Sequence, residues 1–171
     1  ASFIMVLTIV PLFHGLTVWF VVLEQHFQWN RTQLSLAFSL ARVEGGIVGP
    51  LEGLLVDRLG ARSMVLIGLL ILGAGFLMFS QVQSLWQFYA AFLVMSLGGS
   101  MGGWLPMMTV LNSWFVRRRA RSISQAMVGY RVGAVFLVPL LAWGVDADQF
   151  GWRAVAAGIG AMIVVLAYPF S

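Results

Sequence analysis

Gly53-Leu54-Leu55-Val56-Asp57-Arg58-Leu59-Gly60-Ala61-Arg62 sets three charged residues and two glycines between two long apolar runs. The run before it ends at Val56 and the next begins at Met64. Asp57, Arg58 and Arg62 therefore sit where a short connection has to leave a hydrocarbon layer, and the stretch reads as a hinge between two membrane spans. The composition around it agrees. The chain is 60% hydrophobic and 9% charged, with a mean hydropathy of +0.92, whereas soluble domains carry about 25% charged residues. These values describe an integral membrane protein.

Working outward, six apolar runs can be drawn: about 3–23, 34–56, 64–80, 88–111, 123–143 and 154–170. Each is close to the roughly 17–25 residues that cross a bilayer. They are expected to be helices, because an open strand cannot satisfy its backbone in lipid. A closed barrel would instead alternate in segments of about ten residues. The connections are short, so neighbouring helices should be antiparallel. All ten bases are arginine, and their clustering at run ends makes the net charge of +4 a matter of topology rather than of nucleic-acid binding. Arg58 and Arg62 follow the second run, and Arg117, Arg118, Arg119 and Arg121 follow the fourth. Only Arg31 and Arg153 lie on the opposite side, beside Glu24, Asp146 and Asp148. The even connections, and both ends of the six-span unit, are thus expected to face the cytoplasm. Trp29, Trp86, Trp143 and Trp152 at outer run ends, and Trp114 at an inner one, read as headgroup anchors. The opening run is too long for a signal-peptide core of about 7–15 residues, and both ends of the chain look cut. No cysteine is present, which rules out a disulfide framework and thiolate metal sites.

The opening stretch resembles the signature connection between the second and third helices of the major facilitator superfamily of secondary transporters. Gly53, Leu55, Asp57, Arg58, Gly60 and Arg62 match its spacing, while Ala61 stands where the family usually has a second base. A second stretch, Trp114-Phe115-Val116-Arg117-Arg118-Arg119-Ala120-Arg121, is similar to the start of the fifth helix in the monocarboxylate and oxalate/formate type branch. Ala120, Ser122 and Ser124 replace the more usual small residues there. Trp29-Asn30-Arg31-Thr32 is a weaker likeness at the head of the second helix. The Gly-Pro antiporter signature of the fifth helix is absent, since Gly133 precedes Ala134.

The resemblance implies an all-α membrane protein in which residues 1–171 form the amino-terminal six-helix half of a transporter with a carboxy-terminal half to match. It implies alternating access, with proton-coupled symport, exchange or uniport of a small molecule. In such a fold the first and fourth helices line the central cavity, with the second and fifth beside them. That places His14, Arg42 and Arg131 on the path. The matching Gly53, Asp57, Arg58, Gly60 and Arg62 would form the cytoplasmic gate.

Charges inside a membrane are costly and mark function. Arg42 lies about 12 Å into the second run at 1.5 Å per residue, and Arg131 about as far into the fifth, both near the midplane. An arginine fork matches a carboxylate with two hydrogen bonds, and transporters hold substrate at midplane sites between repeats. Arg42 and Arg131 are therefore the candidate organic-anion site. The alternative pairs each with a buried acid, Glu44 or Glu52, as a helix lock. Glu44 is the candidate proton carrier, because a carboxylate in a low-dielectric cavity can load and release a proton. Arg42 and Glu44 are two apart and point to different sides of their helix. Glu52, one turn before Asp57, is assigned to the gate network. His14 could titrate near neutral pH or serve as a hydrogen-bonded packing residue. His26 is assigned nothing.

Gly45, Gly49 and Gly53 recur on one face of the second helix, and Gly98, Gly99, Gly102 and Gly103 crowd the fourth. Gly129 and Gly133 make a small pair on the fifth. Such faces let helix backbones approach. With the other half of the fold absent, the Gly49/Gly53 face should nonetheless be incompletely covered. Pro106 is expected to kink the fourth helix.

An intramembrane serine protease would need a serine and a histidine on neighbouring helices, and although Ser100 lies in a glycine-rich stretch, the sixth run has no histidine. No metal cluster, Walker loop or dinucleotide fingerprint is present, and no cofactor is expected. No selectivity-filter element marks a channel. Two alternatives remain: efflux of neutral or cationic compounds on the same fold, and a non-transporting assembly subunit.

Overall fold

In the computed structural model, the structure describes residues 6, 9–104, 119–145 and 151–167. These residues are helices joined by short turns, with no strand among them. A π-helical stretch, Val10–His14, leads through Gly15 into α1, Leu16–Phe27. The next helical segment is Arg31–Ser80, 50 residues broken at Gly60. It is described below as α2 (31–59) and α3 (61–80). Then follow α4, Leu85–Gly99, continued by a π-helical turn, Ser100–Trp104, α5, Arg119–Val145, and α6, Trp152–Ala167. Pro106, Trp114, Arg117, Arg118, Asp146 and Asp148 lie outside the described residues.

Local chemistry sets several of these bounds. Asn30 precedes α2 in extended geometry, and Gln33 Oε1 accepts from its N–H at 3.1 Å, the return half of a capping box. The Trp29-Asn30-Arg31-Thr32 cluster does open the helix. Ser84 caps α4, accepting from the Gln87 N–H. The turn between 57 and 63 differs from the expected loop. Helix runs up to Gly60 and resumes immediately after it, with the whole change of direction taken at φ 80°, ψ 154°. That region of backbone space is essentially reserved for glycine.

The core forms where α3 is wedged between α4 and α6. Glycine makes this possible, though not the glycines of α2. A methyl group at Gly68 would strike the backbone of Gly102, and one at Gly98 would strike Leu72, so α3 and α4 touch main chain to main chain. Around Gly45, Gly46, Gly49 and Gly53 nothing lies within 4 Å of such a methyl. Among the described residues the α2 stripe is open, as expected of its Gly49/Gly53 part, and it is not a helix-packing face between them. α5 packs instead on the first π-helical stretch, α1 and α6.

At one end of the bundle an aromatic cluster joins α1, α3, α4 and α6. Phe27 stacks on Trp29 at 4.4 Å, Trp152 meets Phe79 edge-on at 5.8 Å, and Trp19 meets Phe79 at 5.4 Å. Trp152 is therefore core, as Trp29 is in part, rather than the headgroup anchors expected. Trp86 and Trp143, 79% and 55% exposed, keep positions suited to that role. Arg153 fixes the start of α6, donating to the Val82 carbonyl at 3.2 Å. Trp19 donates its indole N–H to the Pro11 carbonyl at 2.9 Å, tying α1 back onto the π-helical stretch.

Two described helical segments, Arg31–Ser80 and Ile123–Val145, are long and apolar enough to cross a membrane, and Trp152–Val165 is a shorter apolar helix. Large apolar side chains stand outward on α2 and α5, among them Ile47 at 68% and Phe136 at 74% exposure. An outward apolar surface of this kind is what lipid or a further membrane helix requires.

Candidate functional site

The open side of α2 borders a cavity of about 550 Å³, lined by Ile9, Phe38, Ala41, Arg42, Glu44, Gly45, Val48, Glu52, Ser96, Gly99 and Ser100. Phe38, Ala41, Gly45, Val48 and Glu52 follow one another at steps of three and four, which is one face of a helix. Arg42 and Glu44 flank that stripe from its two edges. They point to different sides of their helix, as the spacing requires, yet both reach the cavity wall. The opposite wall is α4 and its π-helical turn. π-helical turns widen a helix locally and recur at functional sites; here the turn begins at Ser100.

The polar groups are distributed unequally. Arg42 lies over the Phe38 ring, 4.8 Å from its centroid, with its residue otherwise exposed. Ser96 faces the Glu44 carboxylate, and Glu52 is near enough for the two carboxylates to feel each other's charge. Oε2 of Glu44 is buried without a hydrogen-bond partner among the described residues. Glu52 is the most completely buried charged residue described, at 2% exposure, and its Oε1 is hydrogen-bonded to Ser100 Oγ. The ion pair of Arg31 with Glu24, 3.1 Å, is exposed and lies at the far end of α2.

The structure brings Arg42 and Glu44 together on one cavity. Arg131 is exposed on α5 and is not one of its lining residues. His14 closes the first π-helical stretch, and its side chain lies outside what the structure describes. Asp57, Arg58 and Arg62 are exposed at the Gly60 break, and Gly53 is half-buried on the open face. Glu52, assigned from the sequence to the gate network, lines the cavity wall as well. Sequence reasoning also missed Ser96 and Ser100 as cavity residues. The three-four spacing from Phe38 to Glu52 was available as a signal for Glu52, but nothing in the sequence pairs α2 with the serines of α4. No group of acids and histidines that could hold a metal occurs among the described residues.

A family model described as Major Facilitator Superfamily matches residues 2–170. The chain belongs to the major facilitator superfamily. It is 26% identical over 144 residues to monocarboxylate transporter 11 of Mus musculus, covering 84% of this chain and 32% of that protein. It is 28% identical over 154 residues to monocarboxylate transporter 1 of Homo sapiens, covering 88% and 30% respectively. Multidrug resistance protein MdtH of Cronobacter sakazakii is 29% identical over 145 residues, covering 84% and 35%. The chain thus spans about a third of the length of these relatives. Family membership makes it part of a multi-pass membrane protein, with both monocarboxylate transporters and a multidrug resistance protein among its relatives.

Proposed function

We propose that residues 1–171 are the amino-terminal six-helix half of a cell-membrane transporter that works by alternating access on small organic anions, monocarboxylates foremost, with proton coupling. The observation that carries this reading is the cavity of about 550 Å³, apolar over most of its wall and bordered by the Arg42 guanidinium. A site of this type suits a small carboxylate, whose anionic end takes the two parallel N–H groups of an arginine while its apolar end meets Phe38 and Val48. The names of the monocarboxylate transporters support the same substrate class.

Counting each π-helical stretch with its neighbouring helix supports the six-span reading, since α4 is 15 residues of α-helix continued by 5 of π-helix. The arginine distribution sets both ends of the unit, and the Gly60 corner with Asp57, Arg58 and Arg62, on the cytoplasmic side. Gly53, Asp57, Arg58, Gly60 and Arg62 act there as a gate against the partner half, which covers the open α2 face. Arg131 and His14 are candidate second contacts to the anion from α5 and from the first π-helical stretch, and Glu44 is a candidate proton acceptor.

A second reading, efflux of neutral or cationic compounds, is favoured by one specific feature: the cavity wall carries two carboxylates against one arginine. The name of the MdtH relative accords with it. Full-length protein in liposomes, tested for uptake in competition with a panel of small carboxylates and a panel of lipophilic cations, separates the two. Inhibition by carboxylates alone is expected; inhibition by cations alone would replace the anion reading.

A further inference from the structure

The Ser100 hydroxyl lies against two acceptors, the Glu52 carboxyl and the Leu97 carbonyl, the latter at 3.0 Å. It has one hydrogen to give. A serine within a helix commonly donates to the carbonyl three or four residues back, and Leu97 is three back. With that hydrogen directed to Leu97, the close Glu52 contact is two bare oxygens unless Glu52 brings a proton of its own. A Glu52 carboxylic acid donating to Ser100 Oγ, which donates in turn to Leu97, satisfies all three groups.

The surroundings point the same way. Glu52 is almost wholly shielded from solvent, at 2% exposure, and no ion pair reaches it among the described residues. Burying an unpaired carboxylate is far more costly than burying the acid. On its own helix the charged groups bordering the same cavity are Arg42, stacked on Phe38, and Glu44. Asp57 and Arg58 are further along, exposed. α4 contributes Ser96 and Ser100 to the cavity, and its Tyr89 is engaged at the far end with the Gln33 carbonyl at 3.0 Å. α3 brings Arg62, exposed at its start, and the stretch that supplies Ile9 also contains His14.

From these contacts we infer that Glu52, bonded to Ser100, carries the proton of this cavity. The proton is a cargo of the transport step and rests on the transporter reading. A hydronium on one side of the membrane gives up its proton as the Glu52 O–H forms. That bond breaks on the other side as the proton passes to water, with no further reactant. Arg42, ten positions away on the same helix, remains free to hold the anion, so one proton and one monocarboxylate leave the cavity charge as it was.

The test uses the full-length protein and two independent readouts. Infrared difference spectroscopy between low and high pH should show the C=O stretch of a protonated carboxylic acid that is lost in Glu52→Gln, persists in Glu44→Gln, and moves in frequency in Ser100→Ala. Glu52→Gln keeps a donor toward Ser100, so it preserves the packing. In liposomes the same variant should lose accumulation driven by a pH gradient, its substrate ratio falling to about one. A band that survives Glu52→Gln, or that only Glu44→Gln removes, would overturn the assignment. A wild-type protein that shows the Glu52 band yet moves no carboxylate, cation or neutral compound would overturn the transporter reading, and the coupling with it, while leaving the proton on Glu52.

Discussion

Ser100 and Glu52, 48 residues apart in sequence, are hydrogen-bonded across the boundary between α2 and the π-helical turn that ends α4. The bond joins the open helix to the packed core through a buried polar contact. Removing the hydroxyl leaves a buried carboxyl without its partner, which costs about 1–3 kcal/mol. Ser100→Ala should therefore lower the thermal unfolding midpoint of the detergent-solubilised protein, and Ser100→Thr should restore most of the loss. An unchanged midpoint in Ser100→Ala would show that the bond does not contribute to the fold.

Arg42 and Arg131 separate in the structure, and their effects on transport should separate too. Arg42→Ala in the full-length protein should reduce kcat/KM for carboxylate uptake at least tenfold, which corresponds to about 1.4 kcal/mol, with membrane expression retained. Arg131→Ala run beside it decides whether the α5 arginine meets the same anion: an equal loss would add it to the site, and unaltered uptake would remove it.

Gly60 holds φ 80°, ψ 154° with open space around it. Alanine there has room but not the backbone conformation, at a cost of order 1–3 kcal/mol. Gly60→Ala should cut the yield of folded protein, whereas Ala61→Gly, next to it, should not. Monodisperse yield from size-exclusion chromatography measures both.

Glycines of α2 and α3 predict opposite outcomes. Gly68→Ala drives a methyl into the Gly102 backbone and should destabilise the fold, since overpacking of this kind costs about 1–3 kcal/mol. Gly49→Ala meets nothing within 4 Å and should leave the unfolding midpoint unchanged or raised, because alanine favours helix over glycine by about 1 kcal/mol. If Gly49→Ala slows transport while the fold is untouched, the open face is in contact during the transport cycle.

Asp57 is exposed beside the Gly60 corner and is not among the residues lining the cavity. As part of a gate it should govern the change of access. Asp57→Asn is expected to slow turnover at saturating substrate more than it weakens equilibrium binding. A variant that loses affinity but turns over normally would place Asp57 outside the gate.

Much of the fold was legible because membrane burial writes itself into composition. The apolar runs, their arginine-marked ends and the Gly53 to Arg62 spacing require only that charges leave hydrocarbon and that backbones pair internally, and both are local demands. Asn30 as the start of α2 was legible for the same reason. The glycine faces were not, because Gly49 and Gly68 have the same composition around them, and only the neighbour across the helix distinguishes an open stripe from a main-chain contact.

By itself the sequence determined an all-helical membrane chain, its family, and the presence of Arg42 and Glu44 on the second helix. Those follow from residue type and periodicity along one segment. The tertiary structure decided that Glu52 lines the cavity, that Trp152 is core, that Arg131 is not among the residues lining the Arg42 cavity, and that Ser96 and Ser100 face the α2 acids. Each depends on how far one helix has turned against another, a rotation that residue type along one segment does not encode; between α3 and α4 it is fixed by the close packing of Gly68, Gly98 and Gly102.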